Sequence, residues 1–394
     1  MTAHHRFDDI SVDELVAQGS MKWTRNEGHL AAFVAEMDFG TAPAISEALH
    51  SAIDHAQLGY LPPAVKTDMS QATSDYLQSH YDWEVAPERI YPTADVLSAY
   101  TVVLETLSRP GAPVILPTPA YMPFLTLTPA RGREVIQVPM VEGEGGRLEM
   151  DLVGIANAFK QGAEMFILCN PHNPLGRVYS REELEALATV VDAHEGLVFS
   201  DEIHAPLTFP GHRHIPYASL SETTAHHTIT ATSASKAFNI PGLKCAQLIV
   251  SSPKHHETLE KVAFMVSHGA ATPGVMANTV AYRSGDPWLK DVLSYLDTNR
   301  TLLARMLEEH LPQMRYRAPE GTYIAWLDAT GLPPVTGDRS WAQFFSDEAR
   351  VALTDGALCG EAGVGHLRLM LATPSHILEK IVIAMADAVA KAQS

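Results

Sequence analysis

The sequence predicts an α/β fold: a large domain with a mostly parallel central sheet, followed by a smaller α+β domain. From about residue 90 onward, short apolar runs alternate with helical stretches, and after the SGDP turn at 284–287 long helices are separated by two short strands. Continuous apolar runs joined by helices are typical of a parallel sheet that is buried on both faces. The length of 394 residues allows two domains with one shared interface.

The apolar runs predict the strands one by one. In the large domain they are PVILPTP, MFILCNP, GLVFSDEIH, HTITATS and AQLIVSS; in the smaller domain they are TYIAWLD and HLRLML, and a final helix begins at Ser375. We predict an N-terminal arm over residues 1–45 that joins the small domain, a large domain over 46–286 and a small domain over 287–394.

Two helices are predicted in more detail. Apolar residues between positions 45 and 56 recur at helical spacing, and Gly59 closes that helix. Ser180 and Glu183 form an S-x-x-E capping box at the start of a later helix. Its inner stripe consists of Leu184, Leu187, Ala188 and Val191.

Composition and charge exclude several classes of protein. The formal charge of −18 repels nucleic acids and anionic membranes, and no basic patch offsets it. The three cysteines lie far apart, so neither a disulfide framework nor a thiolate metal site is expected. The nineteen histidines show no metal-ligand spacing. The first residues lack a secretory pattern and no stretch is long enough to span a membrane, which indicates the cytoplasm.

Polar residues follow four of the predicted strands directly. They are NPHNPLG at 170–176, DEIH at 201–204, TSASK at 232–236 and PAY at 119–121. In open α/β sheets the ligand lies beyond the carboxyl ends of the strands, so these residues are candidates for a site. Each also has an ordinary interpretation as a surface lysine, a cap, a turn or a packing aromatic.

Taken together, these residues predict a site for pyridoxal phosphate. Ser233 and Ser235 offer phosphate donors beside the amine of Lys236, and Asp201 ends a neighbouring strand. A lysine forms a Schiff base with a carbonyl cofactor, and a carboxylate against the pyridine nitrogen keeps that nitrogen protonated.

The order of these motifs resembles the fold-type I pyridoxal-phosphate enzymes, the aspartate aminotransferase superfamily. The matching segments are NPHNPLGRV, DEIH, TSASKAFNIPGL and HLRLMLATP, and the resemblance spans nearly the whole chain. Within that superfamily, FVAEMDFGTAP, GYLPP, LPTPAYMPF, DEIH and SKAFNIPGL are similar to the cystathionine β-lyase and C–S lyase branch typified by MalY and PatB proteins.

The resemblance implies a role for each matched residue. Lys236 would carry the cofactor as a Schiff base and act as general base, with Asp201 on the pyridine nitrogen. The remaining cofactor residues would be Asn173, Tyr121, His204, Ser233, Ser235, Lys244 and the segment Ala94, Asp95 and Val96, whose backbone amides face the phosphate. Arg368 would hold the substrate carboxylate, near Tyr121 and Asn173. Tyr60 would reach the partner subunit's phosphate and substrate, which implies a homodimer with shared active sites.

Three residues depart from the aminotransferase pattern or look unusual. His204 stands where aspartate-type aminotransferases usually have Tyr, which favours the lyase branch. Lys244 stands where many aminotransferases place a phosphate-binding Arg, and a solvated lysine is the alternative. Asp95 would repel a phosphate, so we expect its side chain to cap the following helix.

The resulting hypothesis is β-elimination from an amino acid with sulfur on its β-carbon, giving a thiol, pyruvate and ammonia. Cystathionine is the first expected substrate, followed by cystine and other cysteine S-conjugates. An aminotransferase that uses a 2-oxo acid is the alternative, and a regulatory binding protein is a minor one. Tyr323, Trp326 and the FVAEMDF segment are candidates for the lining beyond the β-carbon, with core packing as the alternative.

Overall fold

The computed structural model describes residues 7–334 and 337–394, so the first six residues of the predicted arm and residues 335–336 lie outside the described part. The strands are, in chain order, β1 (Leu30–Ala31), β2 (Ile90–Thr93), β3 (Val114–Thr118), β4 (Val135–Pro139), β5 (Val141–Glu142), β6 (Leu148–Glu149), β7 (Met165–Cys169), β8 (Leu197–Asp201), β9 (Thr228–Thr232), β10 (Ala246–Val250), β11 (Arg315–Tyr316), β12 (Ile324–Asp328), β13 (Val351–Ala352), β14 (Thr354–Asp355) and β15 (His366–Met370).

The helices whose bounds the described residues fix are α1 (Val12–Gln18), α2 (Met21–Thr24), α3 (Pro43–Asp54), α4 (Pro63–Tyr81), α5 (Val96–Leu107), α6 (Met122–Ala130), α7 (Leu152–Lys160), α8 (Arg181–Ala193), α9 (Glu222–His227), α10 (Pro253–Glu260), α11 (Ala263–Ser267), α12 (Thr272–Ser284), α13 (Asp286–His310), α14 (Trp341–Ala349) and α15 (Ser375–Gln393). None of them combines the length and the apolar composition that crossing a bilayer requires.

A seven-stranded sheet forms the centre of the larger part of the molecule, in the order β2-β10-β9-β8-β7-β3-β4. The strands from β9 to β4 are parallel, and β10 runs antiparallel to both β9 and β2. The prediction of an α/β fold with a mostly parallel sheet is therefore confirmed. The segment between β9 and β10 contains no crossover helix, so the chain returns antiparallel.

Two strands of this sheet were not predicted. Strand β2 contains Pro92, a residue that strands tolerate at an edge, and β2 is the edge strand beside β10. Strand β4 occupies the other edge and is only partly buried, so it lacks the continuous apolar run of the central strands.

The smaller part of the chain contains an antiparallel sheet in the order β11-β12-β15-β14. The predicted strands TYIAWLD and HLRLML correspond to β12 and β15, and the last helix begins at Ser375 as expected. Strand β1 of the N-terminal segment pairs in parallel with β13. Helix α13 begins at Asp286, and the division of the chain into domains at residue 286 stays a prediction.

The detailed helix predictions have mixed outcomes. The capping box of α8 is present: the Glu183 amide donates to Ser180 Oγ at 3.3 Å, and the Ser180 amide donates to the Glu183 carboxylate at 2.9 Å. The predicted end of the first helix is wrong, since α3 ends at Asp54 and not near Gly59. Ala56 adopts a left-handed backbone with φ of 54°, which helical geometry does not permit.

We expect Leu378→Ala in α15 to lower the free energy of unfolding by about 2–5 kcal/mol, because Leu378 is fully buried and its truncation leaves a cavity. Ile383→Ala on the same helix is the control, since Ile383 is 44% exposed. Chemical denaturation of both variants measures the difference. Equal losses would show that the core does not extend to Leu378.

Candidate active site

A cavity of about 800 Å³ lies at the carboxyl ends of the parallel strands, where the small sheet faces the large one. All the predicted site residues except Tyr60 line this one cavity. They are Ala94, Asp95, Val96, Tyr121, Asn173, Asp201, His204, Ser233, Ser235, Lys236, Lys244 and Arg368. The structure thus brings together side chains from the ends of β2, β3, β7, β8 and β9 and from β15.

Lys236 lies in the turn after β9, and its Nζ donates a hydrogen bond to the Ala35 carbonyl oxygen at 2.9 Å. Burial and, to a smaller extent, the nearby Arg368 lower the pKa of this amine to about 8, against the opposing effect of Glu36 and Asp201. The amine is therefore neutral at a lower pH than an ordinary lysine. A neutral amine is the form that attacks a carbonyl carbon or removes a proton.

Asp201 is the last residue of β8 and is almost completely buried. Its Oδ1 accepts a hydrogen bond from the Ile203 amide at 3.2 Å. Burial raises the pKa of this carboxyl to about 7. The buried carboxylate of Asp201 can accept further hydrogen bonds and could bind a protonated ring nitrogen. A positive partner would compensate the carboxylate for its lost hydration.

Arg368 comes from β15 of the small sheet and is only 4% exposed. Its Nη1 donates to Asn173 Oδ1 at 3.1 Å, and its Nη2 donates to the Phe33 carbonyl at 3.3 Å and to Thr354 Oγ1 at 3.4 Å. Its Nε is buried without a hydrogen-bond partner among the described residues. Burial lowers the pKa of this guanidinium. The guanidinium still has N–H groups that can donate hydrogen bonds to an incoming carboxylate.

Another part of the cavity lining combines a helix N-terminus with a lysine. Asp95 caps α5 by accepting from the Ser98 amide at 2.7 Å, so the expected orientation of its side chain is found. Its Oδ2 also contacts Lys244 Nζ at 3.0 Å. Burial favours the neutral acid, but the bonds from Ser98 and Lys244 outweigh it and keep the pKa of Asp95 low. The first backbone amides of α5 remain available to an anion.

The two serines differ in their availability. Ser233 donates its hydroxyl proton to the Cys245 carbonyl at 2.7 Å and accepts from the Ser235 amide at 3.0 Å. In this arrangement the hydroxyl of Ser233 shapes the turn and has no free proton for a phosphate. Ser235 makes no such side-chain bond among the described residues and faces the cavity.

Tyr121 and His204 complete the walls around Lys236. Tyr121 is the N-cap residue of α6. Burial, together with the nearby Asp201, raises the pKa of its hydroxyl. Burial, with Lys236 and Arg368 nearby, lowers the pKa of His204 to about 3, so its imidazole is neutral near pH 7. His204 Nδ1 is buried without a hydrogen-bond partner among the described residues.

The aromatic candidates lie in different places. Tyr323 does not line the cavity but supports it, since its hydroxyl donates to the same Ala35 carbonyl as Lys236, at 2.9 Å. Trp326 stacks on His366 with a centroid distance of 5.2 Å and lies away from the cavity, so the expectation that it lines the cavity is wrong. The FVAEMDF segment contributes residues 33–36 to the lining. Tyr60 is 94% exposed and does not line this cavity.

Other lining residues were missed at the level of sequence. They include Arg25 and Asn26, which follow the short helix α2, and Gln343 and Ser346 of α14. These residues follow no strand of the central sheet and belong to no recognisable motif. The only available signal was the proximity of Arg25 to the FVAEMDF segment in the chain.

The residues of the cavity fit pyridoxal phosphate. The amine of Lys236 can meet its carbonyl group, and Asp201 can meet its ring nitrogen. Lys244, Ser235 and the first amides of α5 provide cation and donors for its phosphate. The unpartnered His204 Nδ1 and the acceptor capacity of Asp201 leave polar groups for the ring.

Comparison with known proteins agrees with this geometry. The family model described as aminotransferase class I and II matches residues 34–383. The cystathionine β-lyase of Corynebacterium glutamicum is 34% identical, covering 90% of this chain and 92% of that protein. Cystathionine β-lyase PatB of Bacillus subtilis is 32% identical, covering 91% and 93%.

A solved structure from Corynebacterium diphtheriae, provisionally assigned as a PLP-dependent β-cystathionase, superimposes with a TM-score of 0.91 at 36% identity and covers 97% of this chain and 98% of that one. The family model spans well over half of the sequence, and the similarity to PatB extends over most of both chains. The chain therefore belongs to the aminotransferase class I and II family, in the branch that contains PatB.

Proposed function

We propose that the protein is a pyridoxal-phosphate-dependent C–S β-lyase that converts cystathionine or other cysteine S-conjugates into a thiol, pyruvate and ammonia. The observation that carries the proposal is the single cavity in which the buried Lys236 amine, the Asp201 carboxyl and the Arg368 guanidinium meet. The named β-lyases among the relatives support this reaction over amino transfer.

When bound, pyridoxal phosphate supplies an electrophilic carbonyl and a ring that accepts electrons from the α-carbon of the substrate. Asp201 would hold the proton on the ring nitrogen. Asn173 would donate to the phenolic oxygen through its amide nitrogen, since Asn173 Oδ1 already accepts from Arg368. Tyr121 would cover one face of the ring. The phosphate would be held by Lys244, Ser235 and the amides at the start of α5.

Arg368 binds the α-carboxylate of the amino acid with the fork of its guanidinium, and this contact fixes the α-carbon near Lys236. Lys236 then removes the α-proton as a neutral amine, which its lowered pKa of about 8 favours. The hydrogen bond to the Ala35 carbonyl orients this amine towards the cavity. The electron pair left by the α-proton forms a double bond between Cα and Cβ while the Cβ–S bond breaks and the thiolate leaves with its electron pair. Water then hydrolyses the released enamine to pyruvate and ammonia.

The quaternary structure and the location belong to the same proposal. Tyr60 is almost fully exposed and does not line its own cavity, which supports a role in the partner subunit of a homodimer. Cys169, Cys245 and Cys359 are buried free thiols, which supports a reducing compartment such as the cytoplasm. Sedimentation analysis tests the dimer, and Tyr60→Phe should weaken cofactor binding if the tyrosine reaches a phosphate.

The first test of the proposed reaction is pyruvate and thiol formation from L-cystathionine, with pyridoxal phosphate and no 2-oxo acid. We expect both products from the native protein and none above background from Lys236→Ala, because the general base is removed. Lys391→Ala, which changes an exposed lysine of α15, is the control and should keep full activity. Amino transfer to an added 2-oxo acid without pyruvate release would instead identify an aminotransferase.

The pKa of Lys236 predicts how the cofactor-free protein takes up pyridoxal phosphate. The folded-state pKa is depressed from 10.5 to about 8, so the reactive neutral amine increases as pH rises through 8. The uptake rate should rise roughly tenfold from pH 7 to pH 9 and then level off. Stopped-flow absorbance measures this rate. A rate still rising steeply above pH 10 would mean that burial does not perturb the amine.

Arg368→Lys should lower kcat/KM for L-cystathionine by roughly 100-fold, because an ammonium cannot reproduce the bidentate fork and leaves buried partners unpaired. Most of the loss should appear as a higher KM, since the contact holds the substrate before and during reaction. Arg305→Lys, at an exposed position of α13, is the control. Unchanged kinetics of Arg368→Lys would exclude Arg368 from carboxylate binding.

A further inference from the structure

Four cations and four carboxylates line the cavity, so its lining is electrically balanced overall. The cations are Arg25, Lys236, Lys244 and Arg368, and the carboxylates are Glu36, Asp95, Asp201 and Asp355. Lys244 pairs with Asp95 at 3.0 Å, and Lys236 and Arg368 belong to the proposed catalytic set. A preference for a charged substrate substituent therefore cannot come from the net charge of the cavity and must come from an individual charged side chain.

Arg25 is the lining cation that the proposed chemistry does not use. It forms no ion pair within 4.0 Å with any carboxylate of the described residues. Its guanidinium lies over the ring of Phe33, 5.9 Å from the centroid. This contact holds an exposed side chain at the mouth of the cavity instead of leaving it free in solvent.

Phe33 connects this mouth to the buried part of the site. Its backbone carbonyl accepts from Arg368 Nη2 at 3.3 Å, while its ring lies beneath Arg25. One residue thus contacts two guanidinium groups, one deep in the cavity and one at its entrance. Arg25 and Arg368 line the same cavity, so a substrate whose α-carboxylate binds Arg368 can extend its β-substituent towards Arg25.

Three uncharged polar residues line the same cavity as Arg25. Asn26 follows it in the chain, and Gln343 and Ser346 of α14 face the same space. A carboxylate at this point would exchange water for charge-assisted bonds to the guanidinium. An alkyl substituent of equal length would gain no such bond, so the two should bind differently.

We infer that Arg25 recognises a carboxylate on the departing thiol, so that the preferred substrates are cysteine thioethers whose second substituent ends in a carboxylate. The inference rests on the proposed lyase function and narrows its substrate class. It predicts that conjugates such as cystathionine react better than neutral S-alkyl cysteines, and that Arg25 causes the difference.

The test compares S-(3-carboxypropyl)-L-cysteine with S-butyl-L-cysteine, two substrates of equal length that differ in a terminal carboxylate or methyl group. The ratio of their kcat/KM values for pyruvate release should favour the carboxylate in the native holoenzyme. In Arg25→Gln this ratio should fall by about two- to fivefold, the range for a solvent-accessible charged contact. Arg305→Gln removes an equal charge from an exposed position outside the cavity and should leave the ratio unchanged.

A binding measurement separates this inference from the proposed reaction. In the Lys236→Ala background, which removes turnover, calorimetry gives the dissociation constants of both compounds with and without Arg25→Gln. Selective weakening of the carboxylate compound supports the inference, even if the native protein releases no pyruvate and the lyase proposal fails. Equal weakening of both compounds, or of neither, overturns the assignment of Arg25, even if the lyase proposal holds.

Discussion

The site depends on one buried guanidinium that joins two sheets. Arg368 belongs to β15 of the small sheet, yet it donates to Asn173 in the turn after β7 of the large sheet. It also donates to the carbonyl of Phe33 in the N-terminal segment. Three distant parts of the chain therefore meet at a single planar fork, whose fixed donor geometry sets their relative positions.

Burial around this fork tunes the neighbouring acid and base in opposite directions. It lowers the pKa of Lys236 to about 8 and raises that of Asp201 to about 7. Both shifts have the same origin, since removal of water disfavours the charged form of either group. The cavity thus presents an amine and a carboxyl whose protonation changes near neutral pH, as proton transfer and the binding of a charged ring require.

Much of this arrangement could be predicted from local patterns. The apolar runs predicted the central strands. Residues at or just beyond the ends of these strands, such as Asp201 and Lys236, line the cavity because parallel strands end at one edge. The edge strands β2 and β4 were not predictable in the same way, since Pro92 in β2 and the partial burial of β4 weaken their apolar patterns. The apolar pattern of β10 likewise did not indicate its antiparallel direction. The motif-based membership of the family, including the similarity to PatB, is confirmed.

Local patterns in the chain were sufficient to predict the buried strands, the Ser180 capping box and the polar residues at the ends of the strands. Packing in three dimensions determined which distant groups meet. It turned the hydroxyl of Ser233 towards the Cys245 carbonyl, moved Trp326 away from the cavity and placed Arg25 over Phe33 at its mouth. Such contacts depend on packing between segments far apart in the chain, which local propensity and periodicity do not encode.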